Sequence, residues 1–182
     1  DELAMGDPLD PATDVGPVID MRARDNLLAH CTQMEKEGRV IKKLEAPEGE
    51  GSWVPPHFIA LDDISQLEQE HFGPILHMVR FKGKEFEQLP TRINATGFGL
   101  TFGLHSRIED HWEYVQRHIH AGNLYINRNM TGAVVGVQPF GGEGLSGTGP
   151  KAGGPHYLHR FMTERTVTIN TAAIGGNLEL LS

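Results

Sequence analysis

Apolar residues recur at helical spacing in well-separated stretches of the chain. Asp20 has the side chain of an N-cap, and the helix that it begins is predicted to continue to about Glu37. Its apolar face is formed by Leu27, Leu28, Cys31 and Met34. A second amphipathic helix is predicted over residues 108–119, and a third, over residues 85–96, is weakened by an internal proline.

Short apolar runs between these helices are typical of strands. Strands are predicted at residues 40–41, 53–61, 75–81, 100–104, 124–126 and 166–169, with a short helical piece at 157–161. The run 75–81 alternates little between apolar and polar positions, so it is predicted to be buried in a sheet. Strands that alternate with helices of about 10–12 residues indicate βαβ units, so the predicted fold class is α/β with a parallel sheet.

A glycine-rich segment follows the strand at 124–126. It has nine glycines within residues 132–154, too many for a regular helix or strand. The apolar side chains between the glycines are predicted to be buried and to anchor the loop; they are Val134, Val135, Val137, Phe140 and Leu145. An anchored glycine loop brings bare backbone N–H groups close to a ligand, although it could also be only a tightly turned structural loop.

Two phosphate-binding motifs are imitated within this loop. Residues 142–147 match G-x-G-x-x-G, but the glycines and prolines after them cannot form the helix that a dinucleotide-binding motif requires. Lys151 is not part of a P-loop, because Pro150 stands where a glycine is needed. Neither motif is therefore taken as a cofactor site.

Composition narrows the class of protein. The 182 residues suffice for one domain, and the net charge of −8 argues against direct contact with nucleic acid or an anionic membrane. No apolar run is long enough to span a bilayer, and the first residues are not organised as a signal peptide. A single cysteine fits a reducing compartment, so a cytoplasmic location is expected.

The glycine loop and its surroundings resemble a known family. The chain carries, in this order, GNLYINR, TGAVVGVQPFGG and SGTGPKAGG, which is similar to the C-terminal part of the aldehyde dehydrogenase superfamily. TGAVVG and PKAGGPHYL resemble the glutamate-semialdehyde (1-pyrroline-5-carboxylate) dehydrogenases. The ending TVTINTAAIGGNLELL resembles the terminus of the bacterial bifunctional proline utilization A family.

The resemblance implies a division of the chain and a reaction. Residues 1–163 would be the C-terminal portion of an aldehyde dehydrogenase catalytic domain, and residues 164–182 a β-flap strand and tail that associate with a second copy through residues 166–170. The family oxidises L-glutamate γ-semialdehyde with NAD through a cysteine thiohemiacetal. The nucleophilic cysteine, the general-base glutamate and the Rossmann domain would lie upstream, so the isolated chain is expected to be inactive. FAD would belong only to the proline dehydrogenase part of the parent polypeptide.

The resemblance also implies a cofactor contact. EHFGP at residues 70–74 matches the family motif E-x-F-G-P, in which Glu70 would accept hydrogen bonds from the ribose hydroxyls and Phe72 would pack beside the nicotinamide. The alternative is an exposed turn carboxylate and a phenylalanine of the core.

A substrate site is implied in the glycine loop. Thr131, Gly132 and Ala133 match the loop that anchors the amino-acid end of the substrate, where successive N–H groups could hold a carboxylate. Phe140 would form an aromatic wall over the methylene chain. The alternatives are a plain turn for the first three residues and simple loop packing for Phe140.

Other candidate groups are assigned no chemistry. Cys31 lies on the apolar face of a helix with nothing to lower its pKa, so no catalytic residue is expected in this chain. The histidine groups closest in sequence, His118-x-His120 and His156-x-x-His159, have no nearby cysteine or carboxylate to complete a metal site, so the ten histidines are interpreted as structural or surface residues. Two other function classes stay open: an aldehyde dehydrogenase of different specificity, and a non-catalytic assembly module.

Overall fold

A computed structural model describes residues 2–170, and its regular structure begins with a capped helix. The carboxylate of Asp20 accepts a hydrogen bond from the backbone N–H of Ala23 at 2.7 Å, which satisfies one of the unpaired donors of a helix start. The helix, α1, spans Met21–Lys36 and buries Leu27 and Cys31. The predicted helix is therefore confirmed at both ends to within one residue.

After α1 the described chain forms two further helices and seven strands. The other helices are α2 (Leu89–Asn94) and α3 (Glu109–His118). The strands are β1 (Val40–Lys43), β2 (His57–Leu61), β3 (Ile75–Val79), β4 (Phe98–Gly99), β5 (Thr101–Leu104), β6 (Asn123–Ile126) and β7 (Glu143–Gly144). Short 3₁₀ helices lie at Ile64–Gln66, Gly83–Gln88 and Tyr157–Phe161. No helix within residues 2–170 has the length and apolar character needed to cross a membrane.

The strands form three small sheets, which corrects the prediction of one parallel sheet. In the first sheet β2 is parallel to β3 but antiparallel to β1. β5 and β6 are parallel and joined through α3, as predicted for a βαβ unit, whereas β4 and β7 are antiparallel. No helix intervenes between β1 and β2, so the chain can return antiparallel there, while parallel strands require a crossover. The observed class is mixed α/β.

Prolines account for two further differences from the prediction. The strand predicted over 53–61 begins only at His57, because Pro55 and Pro56 have no N–H to donate to a ladder. The helix predicted over 85–96 is divided into a 3₁₀ helix and α2, with Pro90 buried in the first turn of α2. Proline is tolerated at that position because a first-turn N–H has no partner within the helix.

The strand predicted at residues 166–169 is absent from the described part of the chain. Residues 161–170 are exposed, and no strand is formed there. A single strand without a paired edge is not stable by itself, and no edge within residues 2–170 is paired with this segment. The tail from residue 171 onward lies outside the described residues.

The apolar surface is buried less completely than the sequence predicts. Val54 and Ile59 are fully buried, but Leu76 in β3 is 63% exposed, so the prediction of a buried strand there is wrong. The accessible area of the chain is 13750 Å². A compact chain of this mass would expose roughly 8,700 Å². Large apolar side chains exposed in the way that Leu76 is are typical of faces that pack against other protein.

The glycine loop is held by contacts between backbones rather than by apolar side chains. A Cβ at Gly122 would lie 1.7 Å from the carbonyl oxygen of Gly141, and one at Gly147 would lie 2.1 Å from that of Gly142. The predicted burial of the apolar side chains is correspondingly wrong, since Val135 is 96% exposed and only Phe140 of the five is partly buried. The glycine density therefore serves close backbone packing.

The contact at Gly122 gives a test of this packing. Gly122→Ala should lower the free energy of unfolding by about 1–3 kcal/mol, because the methyl group meets rigid backbone rather than a flexible side chain. Urea denaturation measures the change. Gly149→Ala is the matched control, since its Cβ meets nothing within 4 Å and it should stay close to wild type. Equal unfolding midpoints for both variants would show that the loop does not pack in this way.

Candidate functional site

The turn that carries Glu70 and Phe72 is fixed on both sides. The N–H of Gly73 donates to the carbonyl of His71 at 2.9 Å, and the N–H of His57 donates to the carbonyl of Pro74 at 3.0 Å, which attaches the turn to β2. Gly73 also lies against α1, because a Cβ there would be 2.5 Å from Cδ1 of Leu27. Glycine at this position therefore allows the turn to approach the helix closely.

Glu70 and Phe72 face two adjoining clefts. The two residues line a cavity of about 410 Å³ beside α2 and another of about 600 Å³ beside α1. Phe72 is 81% exposed, so the alternative reading as a core phenylalanine is wrong. Within residues 2–170 no side chain or N–H group pairs with the Glu70 carboxylate. A free carboxylate beside an exposed aromatic ring can accept hydrogen bonds from hydroxyls while the ring covers a planar group.

The segment 131–133 has a defined conformation and two free donors. The side-chain oxygen of Asn129 accepts hydrogen bonds from the N–H and the hydroxyl of Thr131, at 2.7 and 2.6 Å. The buried Tyr125 donates its hydroxyl to the carbonyl of Gly132 at 2.8 Å. In the described chain the backbone N–H groups of Gly132 and Ala133 have no acceptor.

This arrangement suits an anion. Gly132 has φ +83, a conformation that glycine adopts without strain. The next N–H, of Val134, is already bonded to Oε1 of Gln138 at 3.0 Å, so two successive donors remain. Successive N–H groups in a turn of this kind form concave sites for carboxylates and phosphates.

Phe140 is held by backbone contacts at the far end of the loop. It forms an isolated antiparallel bridge with Ala152, with N–H to carbonyl distances of 3.0 and 2.9 Å. Asn123 at the start of β6 is nearly buried and supports the same stretch, since its Nδ2 donates to the carbonyl of Pro139 at 3.0 Å and its Oδ1 accepts from the N–H of Gly141. Sequence reasoning missed Asn123, which lies immediately before the predicted strand at 124–126.

The two groups of candidate residues occupy different places in the fold. Glu70 and Phe72 precede β3 in the first sheet, whereas residues 131–140 follow β6 in another sheet. No hydrogen bond among residues 2–170 joins the two groups. The described chain thus presents two separate half-sites, one with a carboxylate acceptor and one with backbone donors.

Cys31 has the environment of a core residue. It is 2% exposed, and burial raises the pKa of its thiol to about 11, with a further contribution from the charge of Glu35. A thiol with this pKa is neutral at pH 7 and a poor nucleophile.

Three histidines that are distant in sequence meet beneath the Glu70 turn. They are His30 of α1, His71 of the turn and His77 of β3. The pKa of His30 is lowered to about 4, chiefly by burial and then by the neighbouring His71 and His77. Sequence reasoning considered only histidines close together in the chain and missed this group. Among the described residues no set of three or more His, Cys, Asp or Glu side chains is arranged to hold a metal ion.

Comparison with known proteins places this arrangement in a family. The model of the aldehyde dehydrogenase family matches residues 1–167. The bifunctional protein PutA of Klebsiella aerogenes is 49% identical over 171 residues, which cover 90% of this chain and 13% of that protein. The chain therefore spans only a small part of the length of such relatives.

Solved structures agree in fold. A crystal structure of proline utilization A from Bradyrhizobium japonicum superposes with a TM-score of 0.85 at 57% identity, covering 94% of this chain and 18% of that one. A Thermus 1-pyrroline-5-carboxylate dehydrogenase with bound NAD gives a TM-score of 0.78 at 38% identity, covering 87% of this chain and 31% of that one. The family model matches nearly the whole length of this chain, and these solved structures have the same fold. The chain therefore belongs to the aldehyde dehydrogenase family.

Proposed function

We propose that this chain forms part of an NAD-dependent dehydrogenase that oxidises L-glutamate γ-semialdehyde to L-glutamate in proline catabolism. The observation that carries the proposal is the pair of unpaired N–H groups at Gly132 and Ala133, in a chain of the aldehyde dehydrogenase family. This substrate differs from a simple aldehyde by a carboxylate at its remote end, and a pair of backbone donors is suited to bind it. The names and the bound NAD of the similar proteins support the same reaction.

Each half-site would have one task. Gly132 and Ala133 would bind the substrate carboxylate, Thr131 would hold that turn through Asn129, and the ring of Phe140 would cover the methylene chain. Fixing the remote end in this way orients the aldehyde toward a nucleophile supplied by the upstream part of the same polypeptide. Residues 1–163 would act in this way, and the parent would be a cytoplasmic bifunctional enzyme whose FAD belongs to its other active site.

The other half-site fits a nicotinamide cofactor. The unpaired, exposed carboxylate of Glu70 can accept two hydroxyl hydrogen bonds, and the exposed ring of Phe72 can lie against a planar heterocycle. NAD, when bound, would accept the hydride from the substrate. Glu70 would fix the ribose and Phe72 the ring, so this chain would position the cofactor without supplying a nucleophile.

Glu70→Gln tests the cofactor contact in the complete polypeptide. The rate of hydride transfer should fall about tenfold or more, because hydrogen bonds to a charged acceptor contribute roughly 1.5 kcal/mol or more. Substrate capture should change less. Stopped-flow absorbance of NADH in single turnovers measures the rate, and Glu68→Gln, which removes a nearby exposed carboxylate, is the control. An unchanged rate together with unchanged NAD affinity would exclude Glu70 from the site.

Gly132→Ala tests the substrate contact against a matched position. Gly136 has φ +78 and, like Gly132, has nothing within 4 Å of a Cβ position, so alanine at either residue costs the same backbone strain of about 1–2 kcal/mol. We expect Gly132→Ala to lower kcat/KM about tenfold or more for glutamate semialdehyde and little for propanal, with small effects of Gly136→Ala on both. Equal losses with both aldehydes would mean general damage to the loop.

We also propose that residues 166–170 pair with a second copy of the protein. The segment alternates polar and β-branched residues, and Val167 and Ile169 are 65% and 67% exposed. In the complete polypeptide Val167→Pro should shift the assembly toward monomer, because proline removes a ladder donor, whereas Val167→Thr keeps the donor and should behave as wild type. Sedimentation at low micromolar concentration measures the mass, and a wild-type mass for the proline variant would rule out this role.

A further inference from the structure

The three histidines beneath the Glu70 turn form a contiguous cluster. The rings of His30 and His71 are stacked, with centroids 3.8 Å apart and planes inclined by 22°. Nε2 of His30 lies 2.9 Å from Nε2 of His77, which is a hydrogen-bond distance. The cluster therefore joins α1, the turn and β3 through side chains alone.

The contact between His30 and His77 restricts their protonation. A hydrogen bond between two Nε2 atoms needs one N–H and one bare nitrogen, so the rings cannot both be protonated while it exists. A charge on His71 would face the ring of His30 at stacking distance, and like charges so close repel strongly. The geometry consequently disfavours more than one charge among the three rings, and burial acts against the first.

The charged and titratable groups around the cluster do little to stabilise a positive charge on its histidines. Directly after α1 the carboxylate of Glu37 acts on His30, but it also accepts hydrogen bonds from Gln33 and Arg39. On β2 the ring of His57 acts on His30 as a further like charge. On the turn Glu70, next to His71, lines the two clefts.

His71 stands between the two residues of the proposed cofactor site. Its neighbours in sequence are Glu70 and Phe72, so a displacement of its ring displaces both. Apart from this cluster, the turn is attached by the backbone bond from His57 to Pro74 and by the contact of Gly73 with Leu27. His71 thus supplies the side-chain attachment closest to Glu70.

We propose that His30 and His77 are positioning residues that hold His71, and with it Glu70 and Phe72, in place while the cluster is uncharged, so that mild acid weakens binding of the nicotinamide cofactor. The inference rests on the proposed function, because it needs Glu70 and Phe72 to contact that cofactor. Beyond the proposed function, the inference adds a pH-sensitive attachment of the turn to α1 and β3.

The direction of the pH effect follows from burial. Burial lowers the pKa of His30 to about 4, with His71 and then His77 contributing, and it also lowers the pKa of His71 and His77. A histidine released from the cluster returns to a pKa of about 6.5. As the pH falls from about 6.5 toward 4, the opened form binds more protons than the closed form, so the closed form loses stability. Well above pH 6.5 the cluster is uncharged in both forms and its contribution to the closed form is complete.

The test uses the complete polypeptide at pH 7.5 and 5.5. NAD affinity is measured by calorimetry, and opening of the 69–74 turn by hydrogen–deuterium exchange, corrected for the intrinsic rate at each pH. We expect wild type to lose NAD affinity by about threefold or more at pH 5.5 and to exchange faster in this turn. His71→Phe keeps a flat ring on His30 but cannot be charged, so both pH effects should shrink.

A matched control distinguishes the effect of the cluster on the pH dependence from the effect of losing any single histidine. His118 on α3 stacks on Tyr114 with centroids 4.1 Å apart, outside the cluster, so His118→Phe should keep the wild-type pH dependence. If His71→Phe does not fold, His77→Gln provides the second variant, because the amide can hydrogen-bond without acquiring a charge. A pH dependence of NAD affinity identical to wild type in the cluster variants would overturn the inference.

Comparison with Glu70→Gln shows which proposal fails. If that variant binds NAD and transfers hydride as wild type does, the cofactor contact is wrong, and the coupling of the cluster to the cofactor is overturned with it. If it binds NAD more weakly while the cluster variants keep the wild-type pH profile, the cofactor contact stands and the role of the histidines is wrong.

Discussion

The arrangement of the glycine loop depends on backbone approaching backbone with no side chain between them. Gly122 meets the carbonyl of Gly141, and Gly147 meets that of Gly142, at distances that no Cβ could occupy. The Lys151 amine then donates to the carbonyl of Gly122. These contacts fix the loop to the start of β6, and the free N–H groups of Gly132 and Ala133 are presented from a loop held at both ends.

The two half-sites differ in what holds them. The Glu70 turn is held by a backbone bond to β2 and by side-chain contacts that include three imidazoles, whereas the 131–140 segment is held mainly by backbone and amide contacts that do not titrate in the physiological range. The first half-site is consequently sensitive to protonation of its histidines. The second is sensitive to the size of the side chain at its glycine positions. In the proposed enzyme these sensitivities would fall on the cofactor and the substrate respectively.

Local signals in the sequence predicted the local structure well. The Asp20 cap and the spacing of Leu27 and Cys31 could be predicted because each depends on residues within one or two turns. The βαβ unit around α3 followed from the order of the strand and helix patterns along the chain. The family followed from ordered motifs, and Glu70 and Phe72 indeed lie together on cleft walls. Their chemical roles remain predictions.

Features set by distant partners could not be predicted in this way. The histidine cluster joins three elements, and no spacing along the chain reveals it. Burial was overestimated for Val135 and Leu76 because an apolar pattern marks a face that can be covered and does not say which protein segment covers it. The strand predicted at 166–169 is not formed within the described chain for the same reason, since a strand forms only where another edge pairs with it.

The pairing of β4 with β7 has a consequence for the order of folding. Phe98 is opposite Gly144 and Gly99 is opposite Glu143, so this short ladder encloses the whole β5–α3–β6 unit. Closing a long loop for few hydrogen bonds costs chain entropy that only a preformed interior can offset. We therefore expect the βαβ unit to form before this ladder closes, and the glycine loop, which carries β7, to acquire its shape after β5 and β6 are in register.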